Sequence, residues 1–201
     1  MLQQMNRRLK VSATFEGAVA RILADVVALH GAEFGNVQLA AGAKLIIVAE
    51  HALRAPFLLA FREVRTTDGC ACGRAWQTGE PLVVADVDLD EPYAPFRHIA
   101  KEAGYRSVQS TPLIASDGMR LGMVSTLFAN QYVPTNIEMA ICKAYCATAA
   151  DRLQGLLKGS RLEAEAQILH DALYADLDVD PPARGLTGPA QDTARAHRRG
   201  D

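Results

Sequence analysis

Residues 105–128 read YRSVQSTPLIASDGMRLGMVSTLF, and their pattern decides the fold. Two runs, Ser107 to Ile114 and Arg120 to Phe128, flank Asp117-Gly118. That arrangement puts a tight turn between two antiparallel strands. Gly118 suits a turn position where a side chain would be strained. Pro112 lacks the N–H that a ladder requires, so it needs a sheet edge, a bulge or a strand end. Gly122 marks a place where another backbone or a ligand comes close.

Working upstream, Phe96 to Ala103 returns to helix and stops at Gly104, while Asp86 to Pro95 carries four acidic residues and two prolines and reads as a loop. Leu82 to Ala85 is a short buried strand, Cys72 to Gln77 a short helix ended by Gly79, and Thr66 to Gly69 a polar loop. Pro56 can open a helix, and Phe57 to Val64 supplies apolar residues for that helix or for an irregular equivalent. Phe34 to Ala40, Gly42, then Leu45 to Ala49 make another hairpin, with Asn36 and Gln38 on one side and Val37 and Leu39 on the other. Phe15, Val19, Ile22, Leu23 and Val26 recur at helical spacing, with Gly31 where the helix should end.

Downstream, Thr135 and Glu138 fit a capping box for a long helix through Ile137, Ile141, Ala144 and Thr148 to Leu157. Ser160 and Glu163 repeat the capping pattern, and Leu162, Ala166, Leu169 and Leu173 form a heptad-like seam. From Asp176 onward proline, glycine, aspartate and arginine leave little to bury, so disorder is expected there. The chain thus divides into an arm (1–13), a domain (14–158), a terminal helix (159–175) and a tail (176–201). The order helix, hairpin, helices, strand, helix, hairpin, helix predicts an α+β fold, with terminal helices on one face of an antiparallel sheet and connecting helices on the other.

With 201 residues, 49% hydrophobic, and a formal net charge of −2, the chain can bury one substantial core and offers no electrostatic reason to bind nucleic acid or an anionic membrane. No apolar run of about 18 residues exists to span a bilayer. Met1 to Lys10 is polar and basic with no apolar stretch behind it, so no secretory signal is read. Four cysteines in this length make no disulfide framework, and a reducing cytoplasm is expected.

The chain resembles bacterial GAF domains, of PAS-like fold, found alone or beside histidine kinases and diguanylate cyclases. The matching residues are Ala32 to Leu39, Cys72-Gly73-Arg74-Ala75, Thr78-Gly79-Glu80, Val83 to Val87, Tyr105 to Leu113, Asp117-Gly118, Leu121-Gly122-Met123 and Pro134-Thr135, spread in order over Phe15 to Leu153. The resemblance implies a ligand pocket between the sheet and the connecting helices and loops. Gln38, Gln109 and Ser125 are polar residues inside apolar strands, each needing a partner when buried, and Trp76, Tyr93, Phe96 and Arg97 come from segments that would roof the pocket. Trp76 and Phe96 could equally fill space, and Arg97 is expected to face solvent.

Specialised chemistries are weighed against this frame. Free-methionine sulfoxide reductases share the fold, but Lys101 stands where the resemblance places the attacking cysteine; Cys72, with Cys70 close by, could match another reductase cysteine. The pairs Cys70/Cys72 and Cys142/Cys146 could together bind zinc or an iron–sulfur cluster, although buried cysteine usually acts as a small apolar residue. Of the histidines only His98 lies beside the expected pocket, so haem ligation is not indicated. No cysteine occupies 96–104 for a bilin, and Asn130-Gln131-Tyr132-Val133 lacks the cyclic-nucleotide signature. The expectation is a non-catalytic module that senses an unidentified small molecule, forms a homodimer through its terminal helices and signals to a separate output protein. An interaction module with no ligand is the alternative.

Overall fold

Alternation in the two hairpins sorts their side chains to two faces, and the computed structural model follows it, describing residues 1–175 and 177. In chain order its elements are α1 (Leu2–Lys10), α2 (Phe15–His30), β1 (Phe34–Ala41), β2 (Lys44–His51), α3 (Ala55–Ala60), β3 (Glu63–Arg65), α4 (Ala71–Thr78) and β4 (Leu82–Val84). A 3-10 helix (Glu91–Phe96), α5 (Arg97–Ala103), β5 (Ser107–Ile114), β6 (Arg120–Phe128), α6 (Asn136–Leu156) and α7 (Leu162–Ala175) complete it. The strands form one antiparallel sheet in the order β3-β2-β1-β6-β5-β4.

The sheet separates two cores. On one face Val37 and Leu39 of β1, Leu113 of β5 and Val124 of β6 pack with α1, α2 and α6. On the other, Leu45, Ile47, Val108, Met123 and Leu127 pack beneath α3, α4, the 3-10 helix and α5. A Cβ on Gly122 would stand 2.0 Å from the Gln38 carbonyl oxygen, so the close approach anticipated there is made by β1 backbone. β4 pairs only with Val108, Gln109 and Ser110, which leaves the β5 edge beyond it without a strand neighbour and accommodates Pro112. Thr135 and Glu138 make the expected reciprocal cap at the start of α6.

Three readings change. Residues 1–13 are mostly helix: Met5 and Leu9, one turn apart, are 2% and 1% exposed, and Arg8 Nε donates to Asp25 at 3.0 Å. Tyr145 donates to the other oxygen of the same carboxylate at 2.9 Å, joining α1, α2 and α6. The helix expected over Phe57 to Val64 ends at Ala60, because Val64 turns inward to pair with Leu45 in β3. Phe96 joins a 3-10 helix that closes the acidic loop, where Asp90 caps the Tyr93 amide.

The leucine seam is also placed differently. Leu162, Leu169 and Leu173 are half-buried against the chain's own cores. α7 starts on the first core through Ala166 and ends on the second through Tyr174. On the way, His170 Nδ1 donates to the Ile47 carbonyl at 2.8 Å, past the point where β3 stops pairing with β2. A helix can satisfy an open strand edge in this way. The expected disordered tail lies outside the described residues, apart from Leu177, which packs on the second core.

Candidate functional site

Beneath α3 and the start of α4 lies a cavity of about 20 Å³, room for about one water. Its floor is the inner face of three adjacent strands: Asn36 and Gln38 from β1, Ser125 and Leu127 from β6, Val108 and Ser110 from β5. Its roof is Phe57, Phe61, Cys70, Ala71, Cys72 and Tyr93. No charged side chain lines it among the described residues.

The polar groups here differ in how well they are satisfied. Ser110 and Ser125 share a hydrogen bond of 2.8 Å, and the Tyr93 and Tyr105 hydroxyls one of 2.9 Å. Burial drives both tyrosine pKa values up, so these phenols stay neutral. By contrast, Asn36 Oδ1 and Gln38 Oε1 are buried without a hydrogen-bond partner among the described residues, on side chains that are each 2% exposed. A buried acceptor left unmade costs about 1–3 kcal/mol, so two side by side form a feature to be explained. Cys70 and Cys72 complete the lining with sulfurs 3.3 Å apart. The Cys72 S–H donating to Cys70 lowers the Cys70 pKa, and the same bond, with burial, raises that of Cys72.

Of the residues singled out from sequence, Gln38, Tyr93 and Ser125 line the cavity. Gln109 does not, because it is one residue out of phase with Ser110 and points through the other face, where its Nε2 lies 3.4 Å from Thr111 Oγ1 and 3.5 Å from His30 Nε2. Trp76 is half-buried on the second core, with the Arg120 guanidinium 5.9 Å from its ring. Phe96 fills space behind the roof, 5.5 Å from the Phe61 ring and 5.6 Å from that of Tyr93. Arg97, expected in solvent, instead donates to the carbonyls of Val87 and Asp90, each at 3.0 Å, and pins the acidic loop. The same loop is anchored by Asp86, which accepts from Arg106 and Gln131; those bonds hold its carboxyl at about 2.

Asn36 and Ser110 were missed, although both follow from the alternation that places Gln38 and Ser125. Phe57, Phe61 and the thiol pair reach the cavity through loop geometry that no periodicity encodes. The second cysteine pair, Cys142 and Cys146, is 4.0 Å apart on the opposite side of the sheet beside Thr111. The four-thiolate site weighed from sequence is therefore not assembled, and among the described residues no three His, Cys, Asp or Glu side chains group as metal ligands. His98 and Lys101 are exposed on α5, and no histidine lines the cavity among the described residues. No described helix is long and apolar enough to cross a membrane.

This architecture is shared with solved structures. The GAF domain of a phosphoenolpyruvate-protein phosphotransferase from Coxiella burnetii matches with a TM-score of 0.67 at 18% identity, over 80% of this chain and 95% of that one. A free methionine-R-sulfoxide reductase from Neisseria meningitidis, solved with its substrate, matches with a TM-score of 0.62 at 20% identity, over 78% and 88%. A GAF sensor protein from Burkholderia vietnamiensis matches with a TM-score of 0.61 at 17% identity, over 78% and 93%. At such identities the likeness shows the fold alone. Among curated proteins no sequence matches significantly. The GAF domain family model matches residues 12–154, from just before α2 to near the end of α6, and the chain belongs to the GAF domain family.

Proposed function

We propose that this GAF domain is a non-catalytic sensory module of bacterial signal transduction, working in the cytoplasm, and that the cavity over β1, β6 and β5 takes its small molecule. One observation carries the reading: Asn36 and Gln38 hold unpartnered acceptors at a buried cavity. A ligand with N–H or O–H donors would satisfy both. Anything larger than a water requires the roof to lift. That roof is built from short pieces, α3 with 6 residues and the 3-10 helix with 6, the kind of element that opens at low cost.

Strand β1 supplies the relay. Asn36 and Gln38 face the cavity, while Val37 and Leu39 on its other side pack with α1, α2 and α6. Strain at the cavity therefore reaches the helix layer through one strand. From there the signal passes to a second copy or to a separate output protein at the exposed surface of the terminal helices. Sedimentation equilibrium of the full chain tests the second copy; a monomer at micromolar concentration excludes it.

A thermal-shift screen of small polar metabolites tests the binding. A compound that raises the melting temperature of the wild type, with the effect lost in Asn36→Leu and Gln38→Leu, supports the site. A shift unchanged in both variants moves the site elsewhere. The catalytic alternative is met by assaying free methionine sulfoxide with a thiol reductant, where turnover no faster than in buffer is expected. The exposed Lys101 stands where the reductase reading needs its attacking thiol.

A further inference from the structure

The cavity unites three things that a general ligand pocket does not need together: two thiols in contact, two amide acceptors without a partner among the described residues, and a volume of only about 20 Å³. We propose that Cys70 and Cys72 are a peroxide-reactive dithiol, and that hydrogen peroxide reaches them in this cavity with the smallest lift of the roof. Hydrogen peroxide carries two O–H donors, one for each open acceptor, and is only one heavy atom larger than a water. This inference rests on the same cavity as the sensory reading.

The roles of the sulfurs follow from the geometry. Cys70 is the N-cap of α4, where helix N-terminal amides favour a thiolate, and it receives the Cys72 S–H at 3.3 Å. The Cys70 thiolate, its proton already released to solvent, attacks one peroxide oxygen; the O–O bond breaks, and the departing hydroxide takes the Cys72 proton to leave as water. Cys72, now a thiolate, attacks the Cys70 sulfenic sulfur. The S–S bond forms, the S–O bond breaks, and this second hydroxide recovers a proton from solvent. Two thiols are oxidised and one peroxide is reduced to two waters.

Closure of a ring with one residue between its cysteines pulls on the first turn of α4. That turn cannot slide freely: a Cβ at Gly73 would stand 2.3 Å from the Asp68 carbonyl, and Arg74 is bonded to Asp90 at 2.8 Å. Oxidation therefore displaces the α4 roof and the acidic loop together. The second pair, Cys142 and Cys146, lies at 0% exposure on the other side of the sheet and does not line this cavity; the Cys146 S–H and His30 hold the Cys142 thiol at about 5, so the selectivity expected for the first pair comes from access and not from acidity.

The test uses the reduced full-length chain with one equivalent of hydrogen peroxide, thiol titration and peptide mapping. The expected result is loss of two thiols and a disulfide mapped to Cys70 and Cys72, formed faster than with the bulkier tert-butyl hydroperoxide. Cys72→Ser should stop at a sulfenic acid on Cys70 that dimedone traps, and Cys142→Ala should react like the wild type. A disulfide at Cys142 and Cys146, equal rates for the two peroxides, or an unchanged rate in Cys70→Ser overturns the proposal. Unreactive thiols in a chain that still binds a metabolite through Gln38 refute the dithiol and spare the sensory reading. Reactive thiols in a chain that binds none do the reverse.

Discussion

Replacing Gln38 with leucine should make this protein more stable, against the usual direction for a core substitution. The side chain is 2% exposed, and its Oε1 has no partner among the described residues. An acceptor stranded in this way costs about 1–3 kcal/mol, a cost leucine does not carry. The change of shape in a packed site returns up to about 1.5 kcal/mol of that gain. The net expectation is a gain of about 1 kcal/mol, or roughly 2–4 °C in melting temperature for a chain of this size. Urea unfolding followed by circular dichroism measures it, with the slope unchanged if only stability has moved. A loss of more than about 1 kcal/mol would mean that the amide is well bonded at rest, through ordered water, and the argument for a site awaiting its ligand would collapse.

Gly122→Ala should go the other way, since its Cβ would meet the Gln38 carbonyl at 2.0 Å; a loss of about 2 kcal/mol or more is expected by urea unfolding, and a neutral result would contradict the strand pairing. Thr135→Ala removes the α6 cap and should cost about 1 kcal/mol by the same assay. Asp86 is held at about 2 against an ordinary 3.8, so its contribution is complete above the ordinary value and is lost as pH falls toward 2. The melting temperatures of wild type and Asp86→Asn should therefore converge between about pH 4 and pH 2; a constant gap would show that the carboxylate charge does not anchor the loop.

How much of this was legible in the sequence depends on the kind of signal. Alternation over Phe34 to Ala40 and the turn at Asp117-Gly118 located the two hairpins, and Gln38 and Ser125, chosen as polar residues in apolar strands, line the cavity. Applied strictly, alternation would also have sent Gln109 through the sheet and brought Ser110 and Asn36 in. The capping pair Thr135 and Glu138 fixed the start of α6 because both halves of that motif are local. Arg97 escaped because its carbonyl partners are set by a loop path rather than by spacing. The fate of the α7 leucines was hidden for a related reason. A seam at heptad spacing fits a partner helix or a sheet edge equally, and what decides is where β3 ends, a property of a three-residue strand too short to read.

Native mass spectrometry of freshly purified protein, compared with Gln38→Leu prepared in parallel, tests the sensory cavity most directly. The account predicts a co-purifying small molecule on the wild type that is absent from Gln38→Leu, while both chains remain folded. An adduct retained equally by both proteins would contradict it.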